Sequence, residues 1–536
     1  MTTKGTRADP NRWAVLAVLG VAQLMVVLDA TIVNIALPSA QQSLGFSTAN
    51  RQWVITAYAL AFGSLLLLGG KLGDLFGRKR TFIAGLVGFS VASGIGGFAQ
   101  SFEMLVGARA LQGAFGALLA PSALSLLTVT FAGSPDRAKA FGIFGAIAGG
   151  GASIGLILGG VLTQTLSWRF CLYVNLAIAL PTVLAAIRFL PNQRPQERPH
   201  IDVPGVLLAC GGLFALVFGF SNAERESWTA LLTIVALAAS VVLLAAFVAV
   251  ERSRKSPLLP LHIVRNRARG GAYLSIALAG AGVFAVFLFL TYYMQQSLGF
   301  SPVSTGLAFL PMSAALVVTS TTVQTKVLPR TGARPLVAGG MTLGLVAMLW
   351  LTRLTATSSY ASHVLPALII LGVGMGCIFA PAFSTATLGV DGSEAGVASA
   401  MVNTSQQVGG SVGTSLLSTL SASAATTYAA GHLGQSDLAN VAAIHGYTTA
   451  FSWAAGIFAA GLALALLILP ARERSAQAEP VTAAADGTTV VPRAMPSVTA
   501  VLITGPCCDF GISRDPSTGQ ADEARSEIAL QGVRAR

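Results

Sequence analysis

Charge is scarce in this chain. Of 536 residues only 10% are Asp, Glu, Lys or Arg, while 54% are hydrophobic. A soluble globular domain carries about 25% charged residues, so the deficit excludes an ordinary soluble enzyme. The apolar runs do not alternate with polar residues in segments of about ten, which excludes a transmembrane barrel. Cysteine is nearly absent too. Cys171, Cys210, Cys377, Cys507 and Cys508 have neither zinc-site spacing nor the spacing of a disulfide framework. The phosphate loop G-x-x-x-x-G-K-[ST] is missing, which argues against an ATP-driven pump. No cleavable signal peptide is evident, and the first apolar run is long enough to act as an uncleaved anchor.

What the chain does contain is a series of apolar runs of about 20 residues, the length of a helix that crosses a bilayer. In lipid each backbone polar group must bond within its own segment, so the runs are read as helices. Fourteen spans are expected, at 13–37, 51–70, 81–100, 104–129, 140–163, 170–190, 204–221, 228–250, 271–294, 303–325, 334–352, 363–388, 396–420 and 447–469. Basic residues mark the cytoplasmic loops. With the N-terminus inside, the inner segments hold 23 Lys and Arg, including Lys71, Arg78, Lys79, Arg80, Arg137 and Lys139, and the outer segments hold four. Both termini are then cytoplasmic. The net charge of +12 is explained by topology, so no nucleic-acid partner is expected. Residues 471–536 lack a long apolar run and read as a disordered cytoplasmic tail. The polar stretch 422–446, with His432, Asp437 and His445, reads as a solvated outer loop rather than a metal or pH site.

The chain repeats itself. QQSLGFS occurs at 41–47 and again at 295–301, an offset of 254. KLGDLFGRKRTFIAG (71–85) aligns with KVLPRTGARPLVAGG (326–340) at 255, and GAFGALLAP (113–121) with VGMGCIFAP (373–381) at 260. Eight spans separate the copies, so they share one orientation. Parallel halves with a substrate site between them are a known transporter plan. The expected organisation is a cytoplasmic N-terminus at 1–12, a six-helix half at 13–190, basic linkers with two inserted helices at 191–270, and a second six-helix half at 271–470.

Charge inside a span is rare and functional by default. Asp29 lies in LDATIVNIALP, about 13 Å from the outer end of its helix, and Arg109 in RALQGAFG lies about 9 Å deep. The depths allow a pair. A packing ion pair without a role in transport is the plain alternative. Their second-half counterparts by offset are Val283 and Ile369, so ionisable chemistry is confined to the first half. Gly70, Gly73, Asp74, Gly77, Arg78, Lys79 and Arg80 close the hairpin between spans two and three. Gly151, Gly155 and Gly159 give the fifth span a small-residue face for close packing, and Gly160 completes its glycine motif. Asn34, Tyr292, Gln295, Asn403, Gln406 and Gln407 are candidates to line a cavity, or to bond between helices.

GKLGDLFGRKR resembles the cytoplasmic signature of the major facilitator superfamily. RALQGAFG resembles its fourth-span arginine motif. LDATIVNIALP and GVASAMVNTSQQVGGSVG (396–413) resemble the first and thirteenth spans of its fourteen-span drug:proton antiporters. The resemblance covers 13 to about 470. It implies an all-α membrane protein with a major-facilitator-type fold, two six-helix bundles plus two inserted helices. It implies a monomer in the cytoplasmic membrane that exports a small hydrophobic or cationic drug or antibiotic. Inward proton flow drives it, with no cofactor. Asp29 and Arg109 would couple protons, and Asp74 and Arg78 would latch the cytoplasmic gate. One departure is Leu156, where the fifth-span motif has proline. An uptake symporter or a metabolite exporter of the same fold is the alternative, and a non-transporting receptor is a more distant one.

Overall fold

The computed structural model describes residues 11–46, 48–192, 202–254, 257–433 and 437–470. The expected tail at 471–536 and residues 1–10 lie outside them. The described residues are helical throughout, with no strand among them. The first half comprises α1 (Arg12–Leu44), α2 (Thr48–Phe76), α3 (Arg78–Gly97), α4 (Phe102–Thr130), α5 (Arg137–Thr165) and α6 (Phe170–Phe189). The inserted pair is α7 (Val203–Arg225) and α8 (Leu231–Glu251), followed by the short α9 (Leu261–Arg265). The second half comprises α10 (Arg267–Tyr292), α11 (Pro302–Ala308), α12 (Leu310–Thr322), α13 (Leu328–Thr331), α14 (Ala333–Leu351), α15 (Leu365–Ala386), α16 (Ala395–Gly431) and α17 (Leu438–Ile468).

Among the described residues thirteen helical segments are long and apolar enough to cross a membrane. Twelve of the expected spans are α1 to α8, α10, α14, α15 and α17. A thirteenth is built from α11, α12 and α13 in series, bounded by Val303 and Thr331. The remaining expected span, 396–420, lies in α16. This helix has length to spare at 37 residues, but its Ser, Thr, Asn, Gln and Gly content keeps it below the hydropathy of the others. It tolerates that content because it packs against α2, α4, α7, α10 and α17, where its polar groups need not face lipid. Most of the stretch 422–446 is helix rather than loop. α16 runs on to Gly431 and α17 starts at Leu438. Alanine-rich sequence there propagates both helices. Tyr428 stacks on His432 and contacts His445, and no metal-holding group of three is present among the described residues.

The repeat is written in the turns. Among the described residues six glycines have left-handed φ, and they form three pairs: Gly45 and Gly299, Gly77 and Gly332, Gly133 and Gly389. Their offsets are 254, 255 and 256. A residue with a Cβ is strained in that region, so each pair ends corresponding helices in the same way. Between the first two pairs the offset grows by one. In that stretch the second half has a π-helical turn, Val323–Val327, whose i→i+5 bonds take up one residue more than an α turn. Pro121 in α4 and Pro381 in α15 are likewise matched.

The helix ends that carry Arg12, Lys71–Arg80, Arg137, Arg254 and Arg267 gather at one end of the bundle, called here the basic end. Arg12 pairs with Asp136 at 2.5 Å. Lys79 donates to the carbonyls of Ile187 and Leu190 at 2.7 and 2.9 Å, capping the last turn of α6. Arg267 donates to the carbonyl of Leu467 at 3.0 Å.

Candidate coupling site and gate

α1 presents Asp29 to the interior of the first half, where it is 0% exposed, and α4 presents Arg109, 2% exposed. Arg109 Nη1 lies 2.6 Å from Asp29 Oδ2. The pair is embedded in polar groups. Gln112 is three residues after Arg109, on the same helix face, and donates to Asp29 Oδ1 at 2.9 Å. Asn175 of α6 donates to the same oxygen at 2.7 Å. Ser93 of α3 accepts from Asn175 at 3.2 Å and also from Gln112. Arg109 Nη1 donates to Gln112 Oε1 at 2.8 Å, and Nε donates to the carbonyl of Val54 at 3.3 Å. The guanidinium sits 4.4 Å over the Tyr58 ring, a cation–π contact. Four helices, α1, α3, α4 and α6, thus converge on one carboxylate. A cavity of about 10 Å³ borders Arg109, lined by Val33, Ala36, Val54, Leu105 and Trp168 among others. That is the size at which one water begins to fit.

The glycines of α5 hold α1 in place. A Cβ at Gly151 would lie 3.1 Å from Leu24 and Val27, one at Gly159 would lie 2.8 Å from Ile32, and one at Gly155 would overlap Thr31 Oγ1. Gly160 faces the other half instead, 2.8 Å from Val303. Leu156 is buried, and α5 has no proline in its 29 residues.

At the basic end the motif residues join the two halves. Asp74 pairs with Arg78 at 2.8 Å, their side chains only 4% and 9% exposed. Across the seam, the N–H of Gly396 donates to Asp74 Oδ1 at 3.2 Å, and Arg78 donates to the carbonyl of Gly392. Gly70 lets α2 meet α16, since a Cβ there would lie 2.6 Å from the carbonyl oxygen of Gly396. Gly73 packs beside Ser122, Gly77 starts α3, and Arg80 points outward. Two further bonds cross the same end. Arg137 donates to Thr387 Oγ1 at 3.1 Å, and Ser320 donates to the carbonyl of Gly142 at 3.2 Å. In the middle of the α5–α12 seam Ser153 and Ser313 are 2.7 Å apart.

The six cavity candidates do not form one group. Gln406 meets Gly280 of α10 and Gln407 meets Gly63 of α2. Tyr292 lies twelve residues beyond Gly280, about 18 Å further along α10, stacked on Tyr447. Gln295 is further still. Asn403 bonds the carbonyl of Ser399 on its own helix at 3.0 Å. Asn34 is on α1, but its side chain lies outside the described residues. The reason is geometric: polarity in a span says nothing about depth shared with another span.

These features have matches elsewhere. The sequence profile described as Major Facilitator Superfamily matches residues 19–414. The chain belongs to the Major Facilitator Superfamily. Among its relatives within that superfamily, the puromycin resistance protein pur8 of Streptomyces alboniger is 48% identical over 472 residues, covering 87% of this chain and 93% of that one. The cephamycin export protein CmcT of Amycolatopsis lactamdurans is 40% identical over 405 residues, covering 75% of this chain and 83% of that one. A crystal structure of the human organic anion transporter MFSD10 superposes with a TM-score of 0.59 at 16% identity. It covers 85% of this chain and 100% of that chain, a likeness of fold. The superfamily consists of transporters, and the fold of this chain is theirs.

Sequence reasoning found Asp29, Arg109 and the gate motif, and the structure brings each set together. It missed Gln112, Asn175, Ser93 and Tyr58. Gln112 was findable from its spacing to Arg109. Asn175 had a weaker signal, as a lone amide in the apolar sixth span.

Proposed function

We propose that this transporter exports an amphiphilic antibiotic in exchange for protons, as a monomer of the cytoplasmic membrane with its basic end in the cytoplasm. It needs no cofactor beyond the proton gradient. The observation that carries this reading is the buried Asp29–Arg109 pair. While Arg109 and the two amides hold the carboxylate, its charge is satisfied and protonation gains little. When α1 and α4 shift and the pair loosens, a carboxylate without its counter-charge in an apolar core takes up a proton readily. Protonation thus favours one conformation and deprotonation the other, which links proton flow to alternating access. The Asp74–Arg78 latch closes the cytoplasmic side in one of those states. The names of the relatives support an antibiotic as cargo, and puromycin is the first to try.

The test is exchange in everted vesicles that contain the full chain. Adding puromycin should release protons from vesicles acidified by respiration, and cells with the gene should accumulate less puromycin. Asp29→Asn keeps the shape and one acceptor oxygen but cannot carry a proton, so exchange should stop. Full proton-coupled exchange by Asp29→Asn would remove Asp29 from the mechanism. Higher accumulation in cells would mean uptake rather than export.

A further inference from the structure

The inserted helix pair contains two buried carboxylates that the coupling mechanism does not use. Asp202 caps α7, accepting from the N–H of Gly205 on Oδ1 at 3.2 Å. Glu251 ends α8 and accepts from the N–H groups of Leu258 and Leu259, both at 3.2 Å. Asp202 is 8% exposed and Glu251 4%. They come from opposite ends of a helical hairpin, yet they meet over Gly205. A Cβ at Gly205 would lie 2.6 Å from Asp202 Oδ2 and 2.6 Å from Glu251 Oε1. The two oxygens are therefore no more than about 5 Å apart, within the range where like charges oppose each other's ionisation. Only a glycine leaves them that space.

The hydrogen bonds around the pair leave one gap. Asp202 Oδ1 and both oxygens of Glu251 have N–H donors, whereas Asp202 Oδ2 is buried and accepts from nothing among the described residues. No cation among the described residues fills it. Arg254 lies 3.6 Å from Oδ1, on the other side of the carboxylate, with its side chain 47% exposed. Lys71 of the gate motif acts on Glu251 from α2, but its Nζ donates to the carbonyl of Pro257 at 3.1 Å. A divalent ion suits the site poorly beside Lys71 and with three of the four oxygens already taken by N–H groups.

We propose that Asp202 and Glu251 share one proton, in a binding site at the basic end that is separate from Asp29. The proton comes from solvent and adds to Glu251 Oε1, and no other bond changes. The new O–H donates toward Asp202 Oδ2. It supplies the missing donor and replaces two opposed anions by one anion in a charge-assisted bond. Because Lys71 belongs to the gate motif and touches the loop beside Glu251, the proton sits where the inserted hairpin meets the gate.

The site is tested on the purified full-length protein in lipid nanodiscs, by infrared difference spectra between acidic and alkaline pH. Among its carboxylic-acid carbonyl bands, wild type should show one that vanishes as pH rises and is absent from both Asp202→Asn and Glu251→Gln. Asp29→Asn should keep it, which separates this site from the coupling site. Thermal unfolding gives a second reading. Wild type should lose melting temperature on alkalinisation as the shared proton leaves, and the amide variants should be flatter. A purely structural pair of caps predicts instead an equal drop in both variants at every pH, with no lost band. That result in either folded variant would overturn the proposal.

Discussion

Asp29 receives hydrogen bonds from Arg109, Gln112 and Asn175, on two other helices. Such a carboxylate is stable only in company. Removing one partner of a buried pair leaves an uncompensated charge and costs about 3–5 kcal/mol, a large part of the ~5–15 kcal/mol that holds a domain together. Arg109→Leu should therefore melt far below wild type in detergent. Asp29→Leu with Arg109→Leu should recover most of that loss, since an apolar pair of similar volume often replaces a buried ion pair without penalty. It should not recover export. Melting curves and vesicle exchange on the same preparations separate the packing role from the coupling role, and a double variant that still exports would assign the pair to packing alone. The charged members of this site were legible in the sequence because charge in an apolar span is conspicuous. Ser93 and the carbonyl of Val54 were not, because an uncharged polar residue fits any span and a backbone acceptor leaves no mark in the sequence.

At the scale of elements, glycines decide which helices touch. Gly151, Gly155 and Gly159 seat α1 on α5, and Gly70 and Gly396 seat α2 on α16. The second contact crosses between the halves, so crowding it should act on conformation as well as on stability. A Cβ at Gly396 would lie 2.6 Å from Asp74 Oδ2. Gly396→Val should destabilise the closed basic end by about 1–3 kcal/mol, a shift of about 5–150-fold in the equilibrium between states. Labelling of a cysteine placed at Gln324 by a membrane-impermeant maleimide, added from the basic side, should speed up accordingly. Unchanged labelling would mean that the seam opens elsewhere. The halves were legible through the three aligned strings. The helix limits were less so: α1 runs to Leu44 and α16 to Gly431, past the apolar residues that defined their spans, because a helix continues through any sequence that does not break it. A left-handed glycine, Gly45, marks the true end of α1, and among 58 glycines nothing in the composition singles it out.

At the scale of the whole molecule, one seam of the bundle can be tied and the other is covered. An ideal Cβ at Gly142 lies 3.4 Å from Gln324 Cβ, close to the spacing a disulfide needs. In a chain stripped of its native cysteines, Gly142→Cys with Gln324→Cys should cross-link α5 to the π turn after α12 on mild oxidation. Export should then stop and return on reduction. Export by fully cross-linked protein would show that the halves need not separate there. The inserted α7 packs on α2 and on α16, one helix from each half, and covers the second seam.

A helix as polar as α16 does not settle in lipid by itself, because insertion is decided by the apolarity of the segment and by the helices available to shield it. Its companions in the second half are α10, made earlier, and α17, made later. The growing chain must therefore hold α16 against finished helices until Leu438–Ile468 leaves the ribosome. Synthesis that halts in the short stretch between them yields a protein with every residue of the 70–80 motif present and no stable wall opposite α2.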